Sequence, residues 1–479
     1  MFAKAAFALL LAPLLAGCLG GGSDSSGEEG ALRAASAGPF AVIAHIDTGI
    51  NPYHVAFRWD SPLAWQHPST YLEGYPANAT ALNLTFDAPD YASAVAADAE
   101  AWAGIEDGAL YWIPGTRIVA AVAYGDGGRY CPLVPVPPAN QLVSDPACPE
   151  PTLILDDFGH GTMTASRMAG GEHSLAPDGL IASLSGDERR AMRFVSESGW
   201  IDVVSNSWGS LAPSAASGDL FGQVEEAARH ALYLFASGNG LGFINGVVGQ
   251  PTYQDATAPL GVVLVGAHDN GYATFWHGFP VHVIADGYAG WRADSLSLDE
   301  WGPDPEACCT SAAAPYAAGA ALAILLEARR LLGDPGTGFA GEGDEGLLAS
   351  GAPGAIAEGP IADGNLTLGE LKRLLLATAT PTPPVTDEAS DDGLVHWVAG
   401  ARPPANPWPG DNPYCFGCWT SPVPLSLAPQ PVAFIGYGAV NNETVAHAAA
   451  VLAGLEPMPE RPDEDAFFAA DRVVRGATG

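Results

Sequence analysis

Three short segments carry side chains able to attack a carbonyl and move protons. His45-Ile46-Asp47-Thr48-Gly49-Ile50 places a carboxylate at the end of an apolar run. Asp157-Phe158-Gly159-His160-Gly161-Thr162 sets an imidazole between two glycines where a helical pattern begins. Cys309-Thr310-Ser311-Ala312-Ala313-Ala314-Pro315 puts a hydroxyl at the opening of a long Ala/Leu helix. Singly each is common: Asp47 could cap a turn, His160 could be a loop histidine and Ser311 an N-cap. Together they are the parts of an activated nucleophile, because a serine hydroxyl attacks a carbonyl only when a base takes its proton.

The elements that must position these residues follow an α/β pattern from Phe40 onward. Phe40 to Ile46 is a β-branched apolar run that stops at Asp47, as a buried parallel strand does. Arg117 to Tyr124, Ile201 to Ser205, Leu232 to Ala236 and Val262 to Ala267 read the same way. Helical stretches lie between or after them at Thr162 to Ala169, Glu188 to Ser198, Gly222 to Ala231, Ala312 to Leu332 and Leu368 to Thr378. This alternation predicts a doubly wound, mostly parallel sheet flanked by helices, with active residues beyond the carboxyl ends of strands. Asn51 to Pro151 departs from it, being rich in aromatics, Pro and Asp, and reads as a large insertion between the Asp47 and His160 segments. Gly333 to Gly359 reads as a second, Gly-rich one.

In their chain order, Asp, His, Ser, the three segments resemble the subtilisin-like serine proteases, the subtilases. Val203-Val204-Ser205-Asn206-Ser207-Trp208-Gly209 resembles the strand that lines a subtilase substrate cleft, and Phe235-Ala236-Ser237-Gly238-Asn239-Gly240 resembles the oxyanion-hole segment. Gly436-Tyr437-Gly438-Ala439-Val440-Asn441 is similar to the family's C-terminal signature, so the resemblance runs from Phe40 to about Ala450. It implies that His160 is the general base, that Asp47 orients and stabilises its imidazolium, and that Ser311 is the nucleophile. The Ser311 N–H at a helix N-terminus and the Asn239 amide are then the oxyanion donors. The implied substrates are proteins or peptides held by extended backbone pairing.

The chain departs from the family pattern in places. Cys309 stands where glycine is usual, Ala312-Ala313 follow the serine in place of a Met-Ala pair, and Ala285-Asp286-Gly287 replaces Ala-Pro-Gly. A Cβ at Cys309, or a bond between Cys308 and Cys309, would constrain the nucleophile turn. An alternative function is therefore a catalytically inactive subtilase-fold surface protein that acts as a peptide-binding or adhesive module. A small-ester or amide hydrolase is a third.

Composition narrows the setting. The 479 residues carry 54 acidic against 19 basic side chains, a formal charge of −35. A chain this acidic lacks the clustered Lys and Arg that nucleic-acid binding needs. With 48% hydrophobic residues it has ample material for a core. Lys4 followed by the apolar run Ala5 to Leu15 has the form of a signal h-region, too short to cross a bilayer. Leu15-Ala16-Gly17-Cys18 resembles a lipobox, which implies a signal peptide over 1–17 and a lipid on Cys18. A flexible linker over 18–39 follows, then a catalytic domain over 40–455 and a tail over 456–479. The expected location is exported, as a cell-surface lipoprotein or extracellular protein. No later stretch reads as a membrane span, and no inhibitory propeptide is expected in the short linker.

Six cysteines lie beyond Cys18. In an oxidising compartment they can pair, with Cys131 and Cys148 the simplest bond to propose and Cys308, Cys309, Cys415 and Cys418 open to several connectivities. No cofactor or metal is required by the resemblance. Structural calcium is allowed by it, but neither Asp387-Glu388 nor Asp391-Asp392 has a spacing that assigns a site. Asn78, Asn83, Asn365 and Asn442 begin glycosylation triplets.

Overall fold

The computed structural model describes residues 39–125, 154–156, 158–208, 227–238, 261–269, 281–287, 291–303, 310–333, 366–380 and 437–457, with a few shorter pieces. Strand β1 (Val42–Asp47) is buried along its length until Asp47, which emerges at its carboxyl end. The other strands of the large sheet, in chain order, are β2 (Thr80–Ala81), β3 (Tyr111–Trp112), β4 (Ile118–Tyr124), β5 (Leu180–Gly186), β6 (Val203–Asn206), β7 (Leu232–Ala236), β8 (Val262–Asp269), β9 (Tyr272–Ala273) and β10 (Val283–Asp286). Trp291–Ala293 (β11) and Trp301–Pro303 (β12) form a separate antiparallel hairpin, and Ala439–Val440 (β13) returns to the sheet edge.

Ten strands lie in the order β13-β10-β8-β7-β6-β1-β5-β4-β3-β2, with β9 folded back on β8 as an eleventh. All neighbours pair in parallel except β3 with β4 and β8 with β9. The sheet is α/β and mostly parallel, as the alternation of strands and helices predicts. β1 sits near its centre between β5 and β6, so Asp47 and the end of β6 share one edge.

Strand β5 is absent from the sequence reading. Its Leu-Ile-Ala-Ser-Leu-Ser-Gly run carries two serines and little β-branching, so it lacks a strong strand signature. Burial between β1 and β4 decides its conformation. Within the Asn51 to Pro151 interval β4 is the strand read at Arg117 to Tyr124, and the two-residue strands β2 and β3, which the sequence does not announce, extend the sheet beyond it. A buried network ties this interval down: Asp98 accepts the Tyr53 hydroxyl and the Thr85 N–H and hydroxyl, each at 2.7 Å. Trp102 Nε1 donates to the Tyr53 oxygen at 3.0 Å.

Helices α1 (Tyr91–Ala97) and α2 (Ala99–Ala103) belong to that interval. Helix α3 (His160–Ala169) and the long α5 (Thr310–Leu332) form one hydrophobic core with the face of the sheet that bears Ile43, Ile181 and Val203. They approach closely: a Cβ on Gly319 would lie 2.5 Å from the Met168 carbonyl oxygen. Helix α4 (Glu188–Ser198) packs on β5 and β1 through Ala191, Met192 and Val195, outside that cluster. Helices α6 (Leu368–Ala377) and α7 (Asn442–Leu452) pack on α5.

Contrary to the sequence reading of membrane spans, α5 is long and apolar enough to cross a bilayer, but 72% of its most apolar window is buried. It is a core helix, apolar from Ala312 to Leu326 because the sheet and three helices pack against it. The signal segment, the linker up to Gly38, all seven cysteines, Asn365, the Gly333 to Gly359 stretch beyond Gly333, and Gly222, Glu225 and Glu226 of the Gly222 to Ala231 stretch lie outside the described residues. Asn78, Asn83 and Asn442 are exposed.

Candidate active site

Strand β1 ends where α3 begins, and the two are locked together through backbone contacts. Gly49 has a φ of 124°, and a Cβ there would lie 2.6 Å from the Ile154 carbonyl oxygen. A Cβ on Gly161 would collide with the Gly49 carbonyl oxygen. Only glycine at both positions lets the Asp47 turn and the His160 helix touch. The result is a bond of 2.7 Å between Asp47 Oδ1 and His160 Nδ1, across 113 positions of sequence.

The carboxylate is held from both sides. Thr48 N–H donates to Asp47 Oδ1 at 2.8 Å and Thr164 Oγ1 donates to Oδ2 at 3.0 Å. The sequence reading passed over a further buried acid, Asp156, which organises the same junction. Its Oδ1 accepts the Thr48 hydroxyl and the Gly159 N–H, both at 2.8 Å, and its Oδ2 accepts the Thr162 N–H at 2.6 Å. Thr48 Oγ1 in turn accepts the Gly161 N–H at 2.9 Å. Asp156 thereby takes up free N–H groups in the first turn of α3. The Asp four residues before His160 was the available signal, hidden beside the adjacent Asp157.

Electrostatics favour an ion pair. Burial would raise the Asp47 carboxyl, but the His160 charge and hydrogen bond outweigh it and hold it below the usual carboxylate range. For His160, burial pulls the pKa down, while the field and bond of Asp47 and the field of Asp156 lift it above 6.5. The imidazole keeps 25% of its side-chain surface exposed, against 4% for Asp47, so the base is open to solvent while its carboxylate partner is not.

Ser311 is the second residue of α5, where backbone N–H groups have no partner within the helix. Its hydroxyl donates to the Ser207 carbonyl at 3.1 Å, and the Ser207 hydroxyl donates to the Ser311 carbonyl at 2.8 Å. This reciprocal clasp fastens the start of α5 to the segment just beyond β6. Asn239 lies outside the described residues, two positions beyond the buried Ser237. The β11–β12 hairpin flanks the His160 side: Ser166 Oγ accepts the Ala293 N–H at 3.0 Å and Asn51 Nδ2 donates to the Ser297 carbonyl at 2.7 Å.

The family model described as the subtilase family matches residues 38–334, more than half of the chain. The chain belongs to the subtilase family. That family is one of serine proteases, so protein or peptide substrates are the class its members act on. Among solved structures, this subtilase is similar to a cold-adapted subtilisin-like serine proteinase at 17% identity, covering 60% of this chain and 76% of the other with a TM-score of 0.32. It is also similar to the prenylagaramide maturation protease PagA at 14% identity, covering 86% and 94% with a TM-score of 0.38. No curated protein sequence matches the chain.

Some features separate this subtilase from the pattern that its sequence resembles. Asp286, in the place of the usual proline, ends β10 and offers its carbonyl to Arg167 Nη2 at 2.7 Å. That guanidinium is buried and lies over the Tyr316 ring. Cys309 and Cys308 lie outside the described residues. Four histidines other than His160, namely His45, His54, His173 and His268, take structural places. His54 is buried and bonded at 3.0 Å to the Glu300 carbonyl, His173 stacks on Trp291, and His45 and His268 are buried. No cluster of three or more metal-ligating side chains occurs among the described residues.

Proposed function

We propose that this subtilase is an extracytoplasmic serine endopeptidase, tethered to a membrane by a lipid on Cys18, that cleaves peptide bonds through an acyl-enzyme. The carrying observation is the 2.7 Å bond from Asp47 to His160, with the nucleophile candidate Ser311 at the start of a helix. Ser311 Oγ attacks the peptide carbonyl carbon while His160 Nε2 takes its proton. Asp47 fixes the imidazole tautomer and stabilises the charge that forms. The tetrahedral oxyanion is received by the Ser311 N–H and the Asn239 amide. Collapse breaks the C–N bond, His160 returns the proton to the leaving amine, and water then hydrolyses the ester by the same route.

One observation favours the inactive alternative, in which the fold serves as a peptide-binding or adhesive module. The Ser311 hydroxyl gives its hydrogen bond to the Ser207 carbonyl and must rotate toward His160 before it can be activated. A fluorophosphonate probe separates the two readings. The full-length chain should be labelled and Ser311→Ala should not. If the wild type stays unlabelled and Cys309→Gly switches labelling on, the protein is a silenced subtilase.

A further inference from the structure

His45 lies two residues before Asp47 on β1, so the two side chains project from the same face of the strand, about 6.6 Å apart along it. It is fully buried, and neither Nδ1 nor Nε2 has a hydrogen-bond partner among the described residues. In register beside it stand Ser183 on β5 and Ser205 on β6. The Ser205 hydroxyl is likewise buried without a partner. A neutral imidazole presents one donor and one acceptor, and a hydroxyl presents both. Three such atoms gathered in a core are costly unless something meets them, and ordered water with about three bonds is what meets them in proteins.

The open acceptor nearest along the strand is on Asp47. Its Oδ1 already takes His160 and Thr48, whereas Oδ2 takes only the Thr164 hydroxyl and keeps one lone pair. We propose that His45 is a positioning residue for the Asp47–His160 couple: with Ser205 it binds internal water beneath Asp47, and the water donates to Oδ2. A donor there stabilises the carboxylate and weakens its pull on the proton of His160. Burial keeps the His45 ring neutral, against the fields of Asp47 and Asp156. The charged groups facing the couple are Asp156 before α3 and Arg292 on β11.

The proposal rests on the proteolytic reading for its effect on turnover, but its test reads the imidazole directly. In full-length chain labelled with 15N-histidine, the His160 ring is assigned by its absence from His160→Gln and titrated by NMR. His45→Leu should raise the proton affinity of His160 at least threefold, and Ser205→Ala should move it the same way by less. His45→Gln, which retains a donor and an acceptor, should stay near wild type. The acid limb of fluorophosphonate labelling should move with the titration. A folded His45→Leu whose His160 midpoint equals wild type overturns the proposal. If that variant does not fold, an unmoved midpoint in Ser205→Ala does so instead. A wild type that fails to label defeats the proteolytic reading alone, since the His160 titration still reports on His45.

Discussion

Asp156 accepts the Thr48 hydroxyl at 2.8 Å, a contact that helps fasten the turn carrying Asp47 to the loop that launches the His160 helix. The same carboxylate receives two N–H groups of the His160 segment. Asp156→Asn should put an amide donor against donors and leave buried groups unmet, at about 1–3 kcal/mol for each group left so. Urea melts should show that loss, and the probe-labelling rate should fall at least tenfold as the Asp47–His160 alignment loosens. Labelling at the wild-type rate would mean the junction holds without it.

The pH dependence has a definite sign. Labelling requires neutral His160, whose pKa is raised above 6.5, so the rate should fall as pH drops through a midpoint above 6.5. Asp47→Asn removes the field that retains the proton. The midpoint should then move to lower pH and the plateau rate fall roughly 10⁴-fold.

The same couple contributes to stability within a window. The depressed Asp47 stabilises the fold above its unfolded value of about 3.9 and loses that contribution as pH falls through its lower folded value. The raised His160 contributes below about 6.5 and loses its share as pH rises through its higher folded value. The difference in urea stability between wild type and Asp47→Asn should therefore be widest from about pH 4 to 6.5, and a flat difference across pH would contradict the pairing.

Backbone contact at Gly161 predicts a steric result. Gly161→Ala drives a methyl into the Gly49 carbonyl, so it should cost roughly 1–3 kcal/mol and abolish labelling. Gly199→Ala is the control, because a Cβ there meets nothing within 4 Å. With a φ of 67°, it should cost only about 1–2 kcal/mol and leave labelling intact.

Far from the site, Arg329 near the end of α5 forms a buried pair with Asp202, Nη2 to Oδ1 at 2.6 Å, and also donates to the Phe40 carbonyl. Asp202 accepts the Val42 N–H at 2.8 Å, so the pair anchors the start of β1. Arg329→Met should cost about 3–5 kcal/mol by stranding a buried carboxylate. Adding Asp202→Leu should recover at least half of it, and calorimetric melting of the two variants distinguishes these outcomes.

Much of the frame was legible because local patterns carry it. The run ending at Asp47, the Leu232–Ala236 strand and the Glu188–Ser198 helix show their periods in sequence and fold as read. Strand β5 was not legible, since Ser183 and Ser185 weaken its pattern and only its place between β1 and β4 makes it a strand. The run from Phe40 to Ile46 announces a buried strand at His45, but that Ser183 and Ser205 stand beside it follows only from the pairing of β5 and β6 with β1.

Sequence alone determined which side chains can do chemistry, their order, and the glycines that flank them, because residue type and spacing are local properties. Tertiary structure decided that Asp156 serves the Asp47–His160 junction, that Ser207 and Ser311 clasp each other, and that His45 is buried beside Ser205. Those contacts join residues more than a hundred positions apart or on neighbouring strands. They exist only once the order of strands in the sheet is set, and burial free energy summed over the whole core sets that order.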